Sequence, residues 1–429
     1  MLAFGWGGWA LLERQPVAHS QGQLQEDPAI GYRAAGRNDA IARLQQRLNS
    51  GAVRLEYSET QGYLPSLLKL LDVPVSSQGL VFSKTSFQLH RISPVNPRAL
   101  YFNDEVYVGW VRGGEVLELA AVDPQFGGVF YFLEQTKTAQ PRFIRNDECL
   151  QCHATHNTKG VPGFVVRSVF PDFRGYPLAP LGSRVISHSS PLAERWGGWY
   201  VTGTHGKERH LGNLLFDERM NPDRIEATEG LNLSKPPARA NLSEHLSTHS
   251  DIVALMVLEH QTQMHNLIAR LNYETRIALS QQTAINEALG KPKDELTDST
   301  RRRIERAATE VLRYLLFVDE ARLNAPISGS TSFAKDFAAR GVRDPQGRSL
   351  RDLDLRQRLF RYPCSYLIYS EAFDALPPQA LEAVYRGLWQ ALTGQTRDQA
   401  LASLSAADRQ AVLEILRTTK RNLPSYFRP

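Results

Sequence analysis

At 429 residues the chain is long enough to close a large hydrophobic core, and with 42% hydrophobic and 22% charged residues its composition excludes wholesale disorder. A formal charge of +5, from 50 basic and 45 acidic side chains, gives no basis for nucleic-acid binding, because no sustained basic stripe or recognition motif accompanies it. Three cysteines, at 149, 152 and 364, are too few for a disulfide-stapled scaffold.

Residues 1–12 are uncharged and largely apolar, and Ala18-His19-Ser20 could border a cleavage site. A leader normally has a basic region before its apolar stretch, and here it is missing. Residues 1–20 therefore read as a shortened leader or the remnant of an N-terminal anchor, too short for an ordinary membrane span. The next thirty or so positions are mostly polar. Residues 39–48 have helical spacing, with Ile41, Leu44 and Leu48 on one face and Asp39 placed to cap the start. Gly62-Tyr63-Leu64-Pro65 opens a short apolar segment, 67–71, that ends near Pro74. From 79 to 133 the texture turns β-like: the runs 106–111, 116–122 and 129–133 are cut by Gly113-Gly114 and Gly127-Gly128.

Residues 161–170 read as a further strand, followed by a Pro/Gly-rich crossing at 171–182 and an aromatic stretch at Trp196, Trp199 and Tyr200. The segment 218–240 is polar, carries Pro222, Pro236 and Pro237, and reads as a linker or long surface loop. Beyond it helices are expected at 251–278, at 284–289, from near Ser299, at 378–392 and at 406–418. The order of elements predicts an α+β fold, with a mixed, β-rich N-terminal region packed against a mainly α-helical C-terminal half. The expected division is leader or anchor remnant 1–20, α+β domain 21–217, linker 218–242 and helical domain 243–429.

The chemistry is concentrated in Cys149-Leu150-Gln151-Cys152-His153. Two cysteines three apart on one turn can each form a thioether with a haem vinyl group, and the adjoining histidine is then delivered beneath the iron. A thioredoxin-like pair would sit at the start of an apolar helix beyond a strand, whereas here Ala154 to Gly163 leads quickly into turns. A zinc site would need a fourth ligand, which His156 offers, but the five-residue run suits haem better. Cys364 lies among aromatic and aliphatic residues, where a buried, inert thiol is expected.

The motif resembles that of the c-type cytochromes, and the likeness covers Cys149, Cys152 and His153. The resemblance implies one covalent haem c, attachment outside the cytoplasm and electron transfer. In small members of that family the motif lies near the start of a compact helical domain, with a methionine ligand downstream. Here it follows 148 residues and is flanked by apparent strands, and Met220 lies in a charged stretch unlike a ligand loop. Two-haem peroxidases carry a second attachment motif, which this sequence lacks. The layout is similar to that of large single-haem bacterial exported proteins.

The opposite axial position decides function, since two strong protein ligands favour electron transfer and an open face favours peroxide or oxygen chemistry. On a helix at about 100° per residue, His249, Val253, Met256, His260 and Leu267 fall near one face, with Met264 one turn beyond His260. His260 is the first candidate for an iron-facing residue. His205, in the Gly-bounded turn Gly203-Thr204-His205-Gly206, is the second. Behind them stand Met264, Met256, His249, His210, His188 and His90. Arg142, Arg145, Arg167 and Arg184 are candidates to pair with haem propionates, and His156 suits a surface or propionate contact. Glu259, His260 and Arg270 offer acid–base groups, although adjacent helical residues do not share a face.

The expected function is that of a monohaem c-type cytochrome-like protein that transfers electrons. A haem-dependent oxidoreductase with an open distal site is the first alternative, and a haem-based sensor or interaction module is the second. No catalytic residue follows from the sequence. The expected location is periplasmic or otherwise exported, with N-terminal membrane attachment as an option. The expected partner is a redox protein or a small-molecule electron donor or acceptor.

Overall fold

The computed structural model describes residues 24–34, 36–220 and 229–428. The expected leader or anchor, 1–20, lies outside the described residues, as do positions 221–228 of the expected linker. The strands are β1 (Gly79–Val81), β2 (Arg98–Phe102), β3 (Val106–Trp110), β4 (Val116–Asp123), β5 (Gly127–Glu134), β6 (Ile144–Arg145), β7 (Arg167–Val169), β8 (Ser183–Val185), β9 (Trp199–Tyr200), β10 (Gly203–Thr204) and β11 (Ser328–Gly329). The helices are α1 (Ala40–Asn49), α2 (Leu64–Leu70), α3 (Leu150–His153), α4 (Ile252–Ala288), α5 (Asp298–Leu315), α6 (Phe333–Ala339), α7 (Glu371–Asp374), α8 (Pro378–Leu392), α9 (Gln399–Ala402) and α10 (Ala406–Thr419). The fold is α+β, as the element order predicts.

Seven strands form one antiparallel sheet in the order β6-β5-β4-β3-β2-β1-β9. Side chains alternate between its faces, and here both faces are buried. One face sends Ala99, Tyr101, Val108, Leu117, Val129 and Tyr200 into a core closed by Ile41 and Leu44 of α1 and Leu64, Leu67 and Leu68 of α2. Asp39 caps α1 by accepting from the amides of Ile41 and Ala42 at 2.9 and 3.0 Å. The opposite face sends Phe102, Tyr107, Val122, Phe130 and Trp199 toward α4, in a core continuous with that of the C-terminal helices. The N-terminal and helical halves thus share one hydrophobic core.

The spine of the molecule is α4, 37 residues long. Its start is held by Asp251, whose carboxylate accepts from Val253 N at 2.8 Å and from Thr331 N and Oγ1 at 2.7 and 2.8 Å. The sequence predicts two helices here, 251–278 and 284–289, and the chain forms one, because no Gly or Pro interrupts 279–283. It stops at Leu289, before Gly290 at φ +65°. α5 packs on α4, and α8 on α5.

The predicted strand at 161–170 is also corrected: only Arg167–Val169 is strand. Residues 161–166 are instead a tightly held loop whose carbonyls and amides bond β5, α3 and α4. Among the described residues no helix is long and apolar enough to cross a membrane.

Candidate functional site

The cysteine pair sits on a tight turn between β6 and the 154–164 loop. The Asn146 side chain accepts from Glu148 N at 2.8 Å and starts a 3-10 turn over Asp147–Cys149, which runs directly into α3. This compact geometry brings Cys149, Cys152 and His153 to the wall of one cleft of about 460 Å³. The rest of that wall is largely apolar: Leu100 and Phe130 from the sheet, Phe164 and Val166 from the loop, Trp199 from β9 and Leu258 from α4. An apolar cleft with a few convergent polar groups suits a flat organic ligand.

His153 is held at both ends of its residue. Its carbonyl accepts from Gly163 N at 2.8 Å, and its Nδ1 lies 2.9 Å from Gly163 O. A carbonyl can only accept, so Nδ1 carries the proton and the Nε2 lone pair remains free for another partner. Burial holds the imidazole below its ordinary pKa, against the opposing pull of the Gly163 carbonyl, which favours the neutral ring a metal needs. The ring packs against Phe130 at 4.7 Å between centroids. Burial also pushes the Cys149 thiol up to about 11, while Cys152 is exposed at the cleft.

Four charged side chains line the same cleft: Lys84, Arg98, Glu118 and Glu148. Arg98 of β2 reaches Glu118 of β4 at 3.1 Å, with 19% and 14% of the two side chains exposed. The residue between them on β3 is Gly109, and a Cβ there would stand 2.9 Å from Arg98 Nε. Glycine is what leaves the guanidinium room to cross the strand. Glu118 also accepts from Gln88 Nε2 at 3.2 Å and Ser86 Oγ at 3.3 Å. Lys84, also in the lining, donates to the carbonyls of Leu89 and Ile92.

The structure brings Cys149, Cys152 and His153 together and keeps the expected distal residues elsewhere. His260 is fully buried on α4, with Nδ1 2.9 Å from His188 Nδ1 and Nε2 2.8 Å from Ser365 Oγ. His205 is buried beside His210, its Nε2 accepting from Asn232 N at 3.1 Å. Met256 and Met264 belong to the shared core, His249 neighbours Thr248 at 3.2 Å, and His90 and Met220 are exposed. None of these lines the cleft. The physical reason is that α4 is buried on every face over nearly all of 252–269, so a one-sided stripe of His and Met on it marks no special direction. Cys364 is fully buried, as its neighbours predict.

The expected propionate partners are likewise placed away from the lining. Arg145 pairs with Asp147 at 2.8 Å, Arg184 with Glu194 at 3.5 Å and Arg167 with Ser183 Oγ at 2.7 Å, while Arg142 and His156 are exposed. Arg98 and Lys84 are the basic side chains at the cleft instead. Arg98, Glu118, Gly163 and Asn266 went unread in the sequence. For the first two a signal existed: strand alternation places both on the face of Tyr107 and Phe130.

The residues present fit a covalently held haem. Cys149, Cys152 and His153 line one largely apolar cleft, the His153 Nε2 is left without a bond to Gly163, and Lys84 and the Glu118-paired Arg98 are the cations beside it. Among the described residues no group of three or more His, Cys, Asp or Glu side chains is arranged to hold a bare metal ion. No family model, no curated protein and no solved structure matches the chain.

Proposed function

We propose that this chain carries one haem c: Cys149 and Cys152 would hold it by thioethers, His153 would ligate its iron, and the iron would keep an open face for a small exogenous ligand. The observation that carries the reading is the shared cleft: both thiols and the His153 ring line it, and Gly163 O takes Nδ1 and leaves Nε2 free. The open face is supported by the lining itself, in which His153 is the one imidazole and no methionine occurs among the described residues. When bound, such a haem supplies one-electron exchange at iron and a site for small ligands. The chain's own residues orient the imidazole, exclude water through Phe130, Phe164 and Trp199, and hold charge at Arg98 and Glu118. This favours haem-dependent redox chemistry on a small molecule over electron transfer through an iron saturated by two protein ligands. An exported location follows from the same reading, since haem c is attached outside the cytoplasm.

The test is mass spectrometry and ferric absorption of the full chain, expressed with export and a haem-attachment system. One haem mass per chain is expected, lost in the Cys149→Ala/Cys152→Ala variant, with a high-spin spectrum that shifts when cyanide is added. Absence of covalent haem would sink the whole reading. A low-spin spectrum indifferent to cyanide would sink the open face and return the function to electron transfer.

A further inference from the structure

His153 does not hold its own orientation. Its ring depends on Gly163 O, and Gly163 lies in a loop with no regular structure of its own. What fixes that loop is α4. Asn266, buried in the core, accepts from Phe164 N through Oδ1 at 2.8 Å and donates through Nδ2 to Phe164 O at 2.8 Å. One turn on, Arg270 donates to Lys159 O at 2.7 Å, so two residues at i and i+4 grip both ends of the loop. From the other side Gly128 N of β5 donates to Pro162 O at 2.8 Å. A carboxamide that bonds both main-chain groups of one residue sets that residue's height and rotation together.

The fit leaves no slack. A Cβ on Gly163 would overlap Asn266 Oδ1 and stand 3.0 Å from Asn266 Cγ and 3.3 Å from Thr158 Cβ. The φ of Gly163 lies outside the left-handed region, so glycine is required by the approach of Asn266 and not by the backbone. Residues 153, 163, 164 and 266 form a continuous chain of hydrogen bonds and peptide links, from the central helix to the imidazole.

We propose that Asn266 is a positioning residue for His153: through Phe164 and Gly163 it sets the tautomer and the angle at which the imidazole meets its ligand. The consequence for iron rests on the haem reading above, but the effect on the imidazole does not. The geometry also makes Gly163 and Asn266 a coupled pair. In Gly163→Ala the new methyl group displaces the loop because the carboxamide is in its way, and in Gly163→Ala/Asn266→Ala that obstacle is gone. The approach of Thr158 Cβ at 3.3 Å remains, so the double variant is perturbed less than the sum of the two single variants.

The test uses the full chain with and without haem. In the haem-free chain, ¹⁵N shifts report the His153 tautomer at neutral pH; in the haem-loaded chain, the iron–histidine stretching band and the midpoint potential report the bond. Wild type is expected to hold the Nδ1–H tautomer throughout. Asn266→Ala should give a mixture of both tautomers and a shifted, broadened band, with one haem per chain retained. Asn266→Leu keeps the bulk of the side chain and loses both bonds to Phe164, so it should mix the tautomers as Asn266→Ala does, and it decides the matter should Asn266→Ala fail to fold. Wild-type tautomer and band in Asn266→Leu, or additive damage in the double variant, would overturn the proposal. Absence of haem from wild type would overturn the haem reading alone, because the tautomer measurement still judges Asn266.

Discussion

Gly109 has no side chain, and that makes room for a charge pair in the cleft. Arg98 and Glu118 lie on strands that are not neighbours, with β3 between them, and in the observed position the guanidinium passes over Gly109 closely enough that a Cβ there would force it to shift. A valine here would push Arg98 off Glu118 and leave a poorly solvated charge without its partner. Gly109→Val should therefore cost about 1–3 kcal/mol through overpacking, read as a lower urea midpoint with an unchanged m-value. A midpoint equal to wild type would mean that Arg98 can reach solvent by another path. The alternation of β2 and β4 puts both residues on the Phe130 face, so their side was legible. Their purpose was not, because a charged residue on one strand face reads the same whether it meets water or a cleft.

Among the elements, α4 decides most, and its start depends on one carboxylate. Asp251 caps the helix and at the same time binds Thr331, so it ties the spine to the segment behind β11. Gly329 allows the approach, since a Cβ there would stand 2.6 Å from the Asp251 carboxylate. Asp251→Ala removes the cap and leaves buried donors unpaired, for an expected loss of about 2–3 kcal/mol. Chemical denaturation measures it; a loss below about 0.5 kcal/mol would show that water replaces the carboxylate. The same helix explains why its His and Met residues do not single out the cleft. A face argument presupposes a solvent side, and α4 has almost none between its start and Ile268. His260 in this setting is a satisfied core histidine, bonded to His188 and Ser365.

Across the whole molecule, burial has gathered several uncharged histidines. His210 and His260 are pushed down to about 3, and His245 and His265 to about 4, in each case chiefly by burial. Unfolded, each would take a proton near 6.5. The unfolded state therefore binds more protons below that value, and the stability these groups contribute, present above about pH 6.5, is lost as pH falls. Glu259 and Glu320, raised by burial to about 8 and about 7, act in the opposite sense. A comparison at one site separates the two. Relative to His210→Leu, wild type should lose up to about 1.4 kcal/mol per pH unit between about 6.5 and 3. Parallel stability curves for the two proteins over that range would refute a neutral His210.

What the sequence by itself determined is local. Cys149, Cys152 and His153 are neighbours in the chain, and a single turn suffices to carry them to one cleft. The strands β3, β4 and β5, the Asp39 cap and the helices α5, α8 and α10 follow from period and capping, which are also local. The surroundings of the motif were decided by the tertiary structure. Arg98 and Glu118 share a cleft with His153 only because the sheet orders β2, β3 and β4 side by side, and Asn266 reaches Phe164 across 102 residues only because α4 lies along that sheet. Helical period locates a face but not what lies opposite, so the identity of the residues around a cofactor is settled by long-range packing, while its attachment is settled by spacing.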